Sequence, residues 1–201
     1  MKKYCILMVV FVAGCLSAHA QVSAGFKAGI NVNNVKYRDS DPNTASVGFN
    51  VGVLTEITVN KSFFIRPELL YSVKGYRSPL TGSNGNTTSR LNYINLPILA
   101  GFPVTPQLHF LIGPEFGYMI KAAYKYGSTT SNATDLYQHF DWGLDLGAGY
   151  KFTPQLGVEV RYNYGFRGLI KGITTDENGV PNGSMKDGSN RVFQAGLFYM
   201  L

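Results

Sequence analysis

Leu108-His109-Phe110-Leu111-Ile112-Gly113-Pro114-Glu115-Phe116-Gly117-Tyr118-Met119-Ile120-Lys121 is the stretch that decides the fold. Leu108, Phe110, Ile112, Pro114, Phe116, Tyr118 and Ile120 are apolar without exception. His109, Leu111, Gly113, Glu115, Gly117, Met119 and Lys121 form the polar, glycine-rich alternate set. A period of two marks a β-strand, whose successive side chains point to opposite faces.

The same period recurs in both directions from this stretch. It runs from Val22 to Val32, Val47 to Val59 and Phe63 to Val73 before it, and from Trp142 to Phe152, Leu156 to Phe166 and Phe193 to Leu201 after it. Leu91 to Phe102 alternates poorly and carries Pro97, where a bulge or change of phase is expected. Together these make eight strands of about ten residues or more, long enough to cross a bilayer at a tilt. From Gln21 onward nothing reads as a helix, and no run of about 18 apolar residues suggests a helical span. Connections alternate between short (Asn60-Lys61-Ser62, Pro103 to Pro106, Thr153-Pro154-Gln155) and long, polar segments at 33–45, 77–90, 127–139 and 167–189. Thr105-Pro106-Gln107-Leu108 recurs as Thr153-Pro154-Gln155-Leu156, which predicts equivalent turns on one rim. Short turns on one rim and long loops on the other are the layout of an outer-membrane barrel.

The faces carry the inside-out argument. In the seven clear strands no apolar-face position is charged, as expected where a lipid-facing Lys or Arg costs roughly 2–4 kcal/mol at mid-bilayer. The polar faces set Glu56, Glu68, Glu115, Asp141, Asp145 and Glu159 against Lys27, Arg66, Lys74, Lys121, Lys151 and Arg161. Six acids against six bases predict a structural network that neutralises itself in a narrow lumen. An eight-stranded tube is barely wide enough for side chains, so inward glycines are expected to make room for the ionic ones. Apolar-face Tyr and Trp are expected to populate interfacial girdles. The fold class that follows is all-β, an eight-stranded antiparallel up-and-down transmembrane β-barrel of one domain over residues 21–201. A soluble lipocalin-like barrel shows the same period with its apolar face inward, and it is the alternative.

The 201 residues are 15% charged and 13% aromatic, with 23 Gly, against about 25% charged in an ordinary soluble domain. Of the net charge of +6, Lys2 and Lys3 supply two, and no block of like charge accompanies it, so nucleic acid is not an expected partner. Those two lysines precede the apolar Ile6 to Val12, and Ala18-His19-Ala20 completes an export signal over residues 1–20 with cleavage before Gln21. The mature chain then has no cysteine. Val12-Ala13-Gly14-Cys15 also fits a lipoprotein box, under which Cys15 would be the lipid-bearing first residue.

Candidate chemistry is sparse. His139 lies near Asp135, Asp141, Ser128 and Ser131, residue types that can build a nucleophilic triad, but no nucleophile elbow accompanies them. His109 is expected on the inner face near the short-turn rim. Asp39, Asp41, Asp176, Glu177 and Asp187 match no EF-hand spacing and read as solvated loop acids. Gly147 and Gly149 lie mid-strand with no helix after them, so they form no phosphate loop. No enzyme, cofactor or metal is expected.

Gly113-Pro114-Glu115-Phe116-Gly117-Tyr118, Asp141-Trp142-Gly143 leading to Gly147-Ala148-Gly149-Tyr150, Glu159-Val160-Arg161-Tyr162 and Tyr93-Ile94-Asn95-Leu96-Pro97-Ile98 resemble the PorT-like family of bacterial outer-membrane β-barrel proteins. The resemblance spans essentially the whole mature chain. It implies an outer-membrane location and a structural, adhesive or surface-interaction role, with partners engaging the four long loops. Gln194, Gly196, Tyr199 and Leu201 resemble the terminal signal read by the barrel-assembly machinery, with Leu201 standing where Phe is usual. The expected partners are therefore outer-membrane lipids, that machinery and a surface ligand.

Overall fold

The computed structural model describes residues 21–36, 44–79, 86–126, 129–132, 134, 137–168, 172–175, 181–185 and 189–201. The expected export signal and lipidation site, the loop acids Asp39, Asp41, Asp176, Glu177 and Asp187, and Ser128 and Asp135 lie outside the described residues. In chain order the strands are β1 (Gln21–Lys36), β2 (Thr44–Asn60), β3 (Phe63–Pro79), β4 (Asn86–Pro103), β5 (Leu108–Tyr126), β6 (Thr129–Asn132), β7 (Phe140–Lys151), β8 (Leu156–Gly168), β9 (Gly172–Thr175), β10 (Pro181–Met185) and β11 (Ser189–Met200).

Strands β1, β2, β3, β4, β5, β7, β8 and β11 close into an antiparallel barrel. The first strand pairs with the last, from Gly25 opposite Met200 to Lys36 opposite Ser189, so no sheet edge is left along this seam. Two small additions stand at the long-loop end. β6 pairs with the end of β5, and β9 pairs with β10. The repeated Thr-Pro-Gln-Leu segments do build the same turn. Thr105 Oγ1 accepts from Gln107 N and Leu108 N at 3.2 and 2.9 Å, and Thr153 Oγ1 accepts from Gln155 N and Leu156 N at 3.3 and 2.9 Å. A hydroxyl in that position gives two backbone N–H groups of the turn an acceptor and fixes the chain reversal.

Three sequence expectations need correction. Ladders continue well into the segments read as loops, since residues 33–36, 44–45, 77–79 and 86–90 are strand. Hydropathy stops alternating where lipid stops, but backbone pairing does not, and the Thr87-Thr88 and Asn33-Asn34 pairs can still extend a ladder. In β4, Leu91, Tyr93, Asn95, Pro97 and Leu99 all point inward in one phase, and the registers with β3 and β5 run through Pro97 without a shift. The alternation is blurred because this strand is apolar on both faces. The shift lies instead between Asn92 and Tyr93, which pair with Lys121 and Met119, so Ile120 is the extra residue. That bulge turns Lys121 outward, where it is exposed. The expectation that Lys121 belongs to the lumen network is overturned.

Large apolar side chains lie outside and charges inside. Phe26 is 55% exposed and Val47 71%, whereas Arg66 is 0% and Arg161 1% exposed. This arrangement excludes the soluble-barrel alternative, which needs the reverse. Aromatic contacts gather at two levels of the outer face. Trp142–Phe166 and Tyr164–Phe166 (4.8 and 5.4 Å between ring centres) lie toward the long loops, and Phe63–Phe102 and Tyr150–Phe152 (5.6 and 5.5 Å) lie at the short turns. Amphipathic rings prefer these interfacial depths. Val53, paired with Phe26 and Leu69, sits between the levels. Val53→Lys should therefore lower unfolding free energy in lipid vesicles by about 2–4 kcal/mol. An unchanged denaturant midpoint would mean that this face does not meet lipid.

Candidate functional site

The inward side chains form layers along the barrel axis. Nearest the short turns, Glu56 accepts from Lys151 Nζ at 2.9 Å and pairs with Arg66 Nη2. At the same end lie two small apolar clusters, Phe64 with Leu99 and Leu111, and Leu54 with Phe198 and Met200. His109 is 3% exposed here, its ring 5.6 Å from that of Phe64 and 6.1 Å from that of Phe198. The Arg66 guanidinium carbon lies 5.3 and 5.1 Å from the same two ring centres, an arrangement in which the ring faces stabilise the cation. These rings fit because Gly101, Gly149 and Gly157 face them. A Cβ on each would run into Phe64, His109 and Phe198 respectively. At these three positions the glycines accommodate rings rather than the ionic groups for which space was expected.

The middle layer is ionic. Glu159 Oε1 accepts from Lys27 Nζ at 2.6 Å and Arg161 Nη2 at 2.5 Å, and its Oε2 accepts from Arg66 Nη1 at 2.6 Å. Glu68 accepts from Arg161 Nη2 at 2.7 Å and lies 3.5 Å from Lys27 Nζ. Arg161 Nη1 reaches Asp145 Oδ2 at 3.1 Å, and Asn163 donates to the other Asp145 oxygen at 2.6 Å. Charges this deeply buried persist only when paired and hydrogen-bonded.

The next layer pairs charges with amides. Lys74 Nζ and Asn95 Nδ2 both donate to Glu115 Oε1, at 2.9 and 2.8 Å. Asn190 donates to Asp141 Oδ2 at 2.7 Å, and Asn31, Asn50 and Ser72 form a chain of 2.6 and 2.9 Å contacts. Above them Val35, Tyr76, Leu91, Tyr93, Met119, Ala122 and Tyr137 close the long-loop end. The Tyr137 hydroxyl lies 3.0 Å from that of Tyr76 and donates to Ser89 Oγ at 3.4 Å. Burial and the neighbouring Tyr76 push the Tyr137 phenol pKa up, so it remains a neutral hydrogen-bonding group.

The structure thus brings together Lys27, Glu56, Arg66, Glu68, Lys74, Glu115, Asp145, Lys151, Glu159 and Arg161, and leaves Lys121 outside. Asp141 joins through Asn190 and not through a cation. Of the terminal-signal residues, Gln194 points into the lumen, 2% exposed, while Tyr199 and Leu201 face outward. His139 packs against Tyr118 with ring centres 6.0 Å apart, and Asp141 turns into the lumen, so the two do not form a dyad. Among the described residues no three His, Cys, Asp or Glu side chains gather as a metal site would require. What the sequence reading missed was the apolar part of the filling. Its signal was present as Leu54, Phe64, Leu111, Met119 and Phe198 at polar-face positions.

A family model described as outer membrane protein beta-barrel domain matches residues 17–171. Neisserial surface protein A is similar in structure at a TM-score of 0.59 and 16% identity, over 89% of this chain and 98% of that one. The attachment invasion locus protein Ail of Yersinia pestis, solved with the heparin analogue sucrose octasulfate, is similar at 0.50 and 13% identity, over 90% of this chain and 99% of that one. At these identities the likeness is one of fold. No curated protein matches the chain in sequence.

Proposed function

We propose, for a chain that belongs to the outer membrane protein beta-barrel domain family and resides in the bacterial outer membrane, a role at the cell surface in which the barrel is a sealed anchor and the long loops engage a partner. The observation that carries this reading is the filled lumen. An ionic layer whose charges are paired at 2.5–3.5 Å lies between apolar layers at both ends. A solute would have to break buried ion pairs to pass, and breaking one costs about 3–5 kcal/mol. The resemblance to PorT-like barrels supports the same reading, as does the fold shared with Ail, a protein solved with a sulfated ligand.

The alternative is a narrow channel, and planar-bilayer recording separates the two. The sealed barrel should give no reproducible open level. A stable conductance altered by Glu68→Gln or Arg161→Gln would establish a water path and reject the plug. For the surface role, bacteria displaying the chain should adhere to a polysaccharide-coated surface more than cells lacking it. Exchanging segments 33–45, 77–90, 127–139 and 167–189 for short turns at equal display should remove that gain. Adherence unaffected by the exchange would count against the loops.

A further inference from the structure

We infer that the outer face of β3, β4 and β5 carries a binding site for the phosphate groups of an outer-leaflet glycolipid, formed by Arg77, Arg90, Lys121 and Lys125. The registers place these residues together. Moving toward the long loops, the outward rows read Tyr71–Ile94–Tyr118, then Val73–Asn92–Lys121, then Gly75–Arg90–Ala123, then Arg77–Thr88–Lys125. Arg90 is therefore the diagonal cross-strand neighbour of Lys121, Lys125 and Arg77, a spacing of about 7–8 Å between Cα atoms. All four are exposed. Lys121 joins the patch only because of the bulge at Ile120.

Three observations point to a ligand. Every Asp and Glu among the described residues is buried inside the barrel, so no described acid on the outer surface offers these cations a counter-charge. None of the four makes an ion pair, ring contact or side-chain hydrogen bond among the described residues. Two other described cations at this end are already engaged. Arg191 stacks 3.5 Å from the Tyr164 ring centre and donates to Gly165 O and Asn190 O, and Arg167 lies over Phe140 and donates to Gln138.

Position selects the class of anion. The side chains project sideways from strands and begin one row above Tyr71–Ile94–Tyr118, where Tyr118 is 56% exposed. Interfacial tyrosines mark headgroup depth, so the cations face laterally into the phosphate layer and not upward into the medium. Guanidinium forks and ammonium groups suit phosphate oxygens.

The test titrates the mature barrel in detergent micelles with three probes: fluorescent lipid A bearing both phosphates, its dephosphorylated form, and a soluble heparin oligosaccharide. The site predicts binding of the phosphorylated lipid at least about ten-fold tighter than the dephosphorylated one, weakening with salt. Arg90→Gln should lose roughly five-fold, and the four-fold Gln variant on the order of 100-fold. Arg167→Gln should bind as wild type. Heat-modifiable migration on a denaturing gel confirms that each variant is folded, and Arg90→Gln alone decides if the four-fold variant is not. Equal binding of the two lipids, or an Arg90→Gln barrel indistinguishable from wild type, would overturn the site. Heparin displacing the lipid at lower concentration than the lipid's own would also overturn it, assigning the patch to a soluble polyanion.

Discussion

Glu159→Gln should cost about 3–5 kcal/mol of unfolding free energy, a large fraction of the stability of a typical domain. Lys27, Arg66 and Arg161 converge on this one carboxylate at 2.5–2.6 Å, and all three are at most 3% exposed. The amide is nearly isosteric, so the loss isolates charge from packing. Its carbonyl oxygen still accepts, but its NH₂ presents donors to other donors. A second substitution tests the cause. Lys27→Met added to Glu159→Gln removes one orphaned cation and should recover part of the loss, making the pair strongly non-additive. Lys61→Gln, at the exposed short turn, should stay within about 0.5 kcal/mol of wild type. Denaturant titration in lipid vesicles measures all four chains. A Glu159→Gln loss below about 1 kcal/mol would mean that water screens the lumen and that the ionic layer is no seal.

The second large effect is expected at a glycine. Gly101→Val places a branched side chain where the Phe64 ring sits, and overpacking of this kind typically costs about 1–3 kcal/mol. The ring cannot retreat easily, because Arg66 and His109 pack against it. Phe64→Ala alone removes a buried aromatic and should cost about 3–5 kcal/mol. The double variant Gly101→Val/Phe64→Ala exchanges one volume for the other and should be clearly more stable than the sum of the single losses predicts. Additive losses would show that the two residues do not share one space.

Both predictions draw on features that the sequence disclosed unequally. The barrel itself was legible because lipid imposes a strict period. A strand such as β5 must present Phe110, Ile112, Phe116 and Tyr118 on one apolar face, and the absence of any charge on that face, with charges and glycines on the other, turned it toward hydrocarbon. The members of the ionic layer were legible for the same reason, since an uncharged outer face forces the charges inward. Their partners were not. Glu159 and Arg66 are 93 residues apart, and nothing local says that they meet. Lys121 was misplaced because a single extra residue, Ile120, reverses every later side chain while leaving the composition unchanged. The phase of β4 was obscure because its inward Leu91, Tyr93 and Leu99 are as apolar as its outward Ile94, Leu96 and Ile98. Strand ends ran past the expected loops because polar residues form ladders as readily as apolar ones once the membrane no longer dictates hydropathy.

The inside-out arrangement has a direct probe in the molecule itself. The chain has one tryptophan, Trp142, which lies on the outer face at 45% exposure beside Phe166. Refolded into vesicles whose acyl chains carry bromine near the headgroup end, Trp142 should lose most of its fluorescence, while aqueous iodide should leave it nearly unquenched. Fluorescence indifferent to brominated lipid but open to iodide would place Trp142 away from the bilayer and contradict the barrel described above.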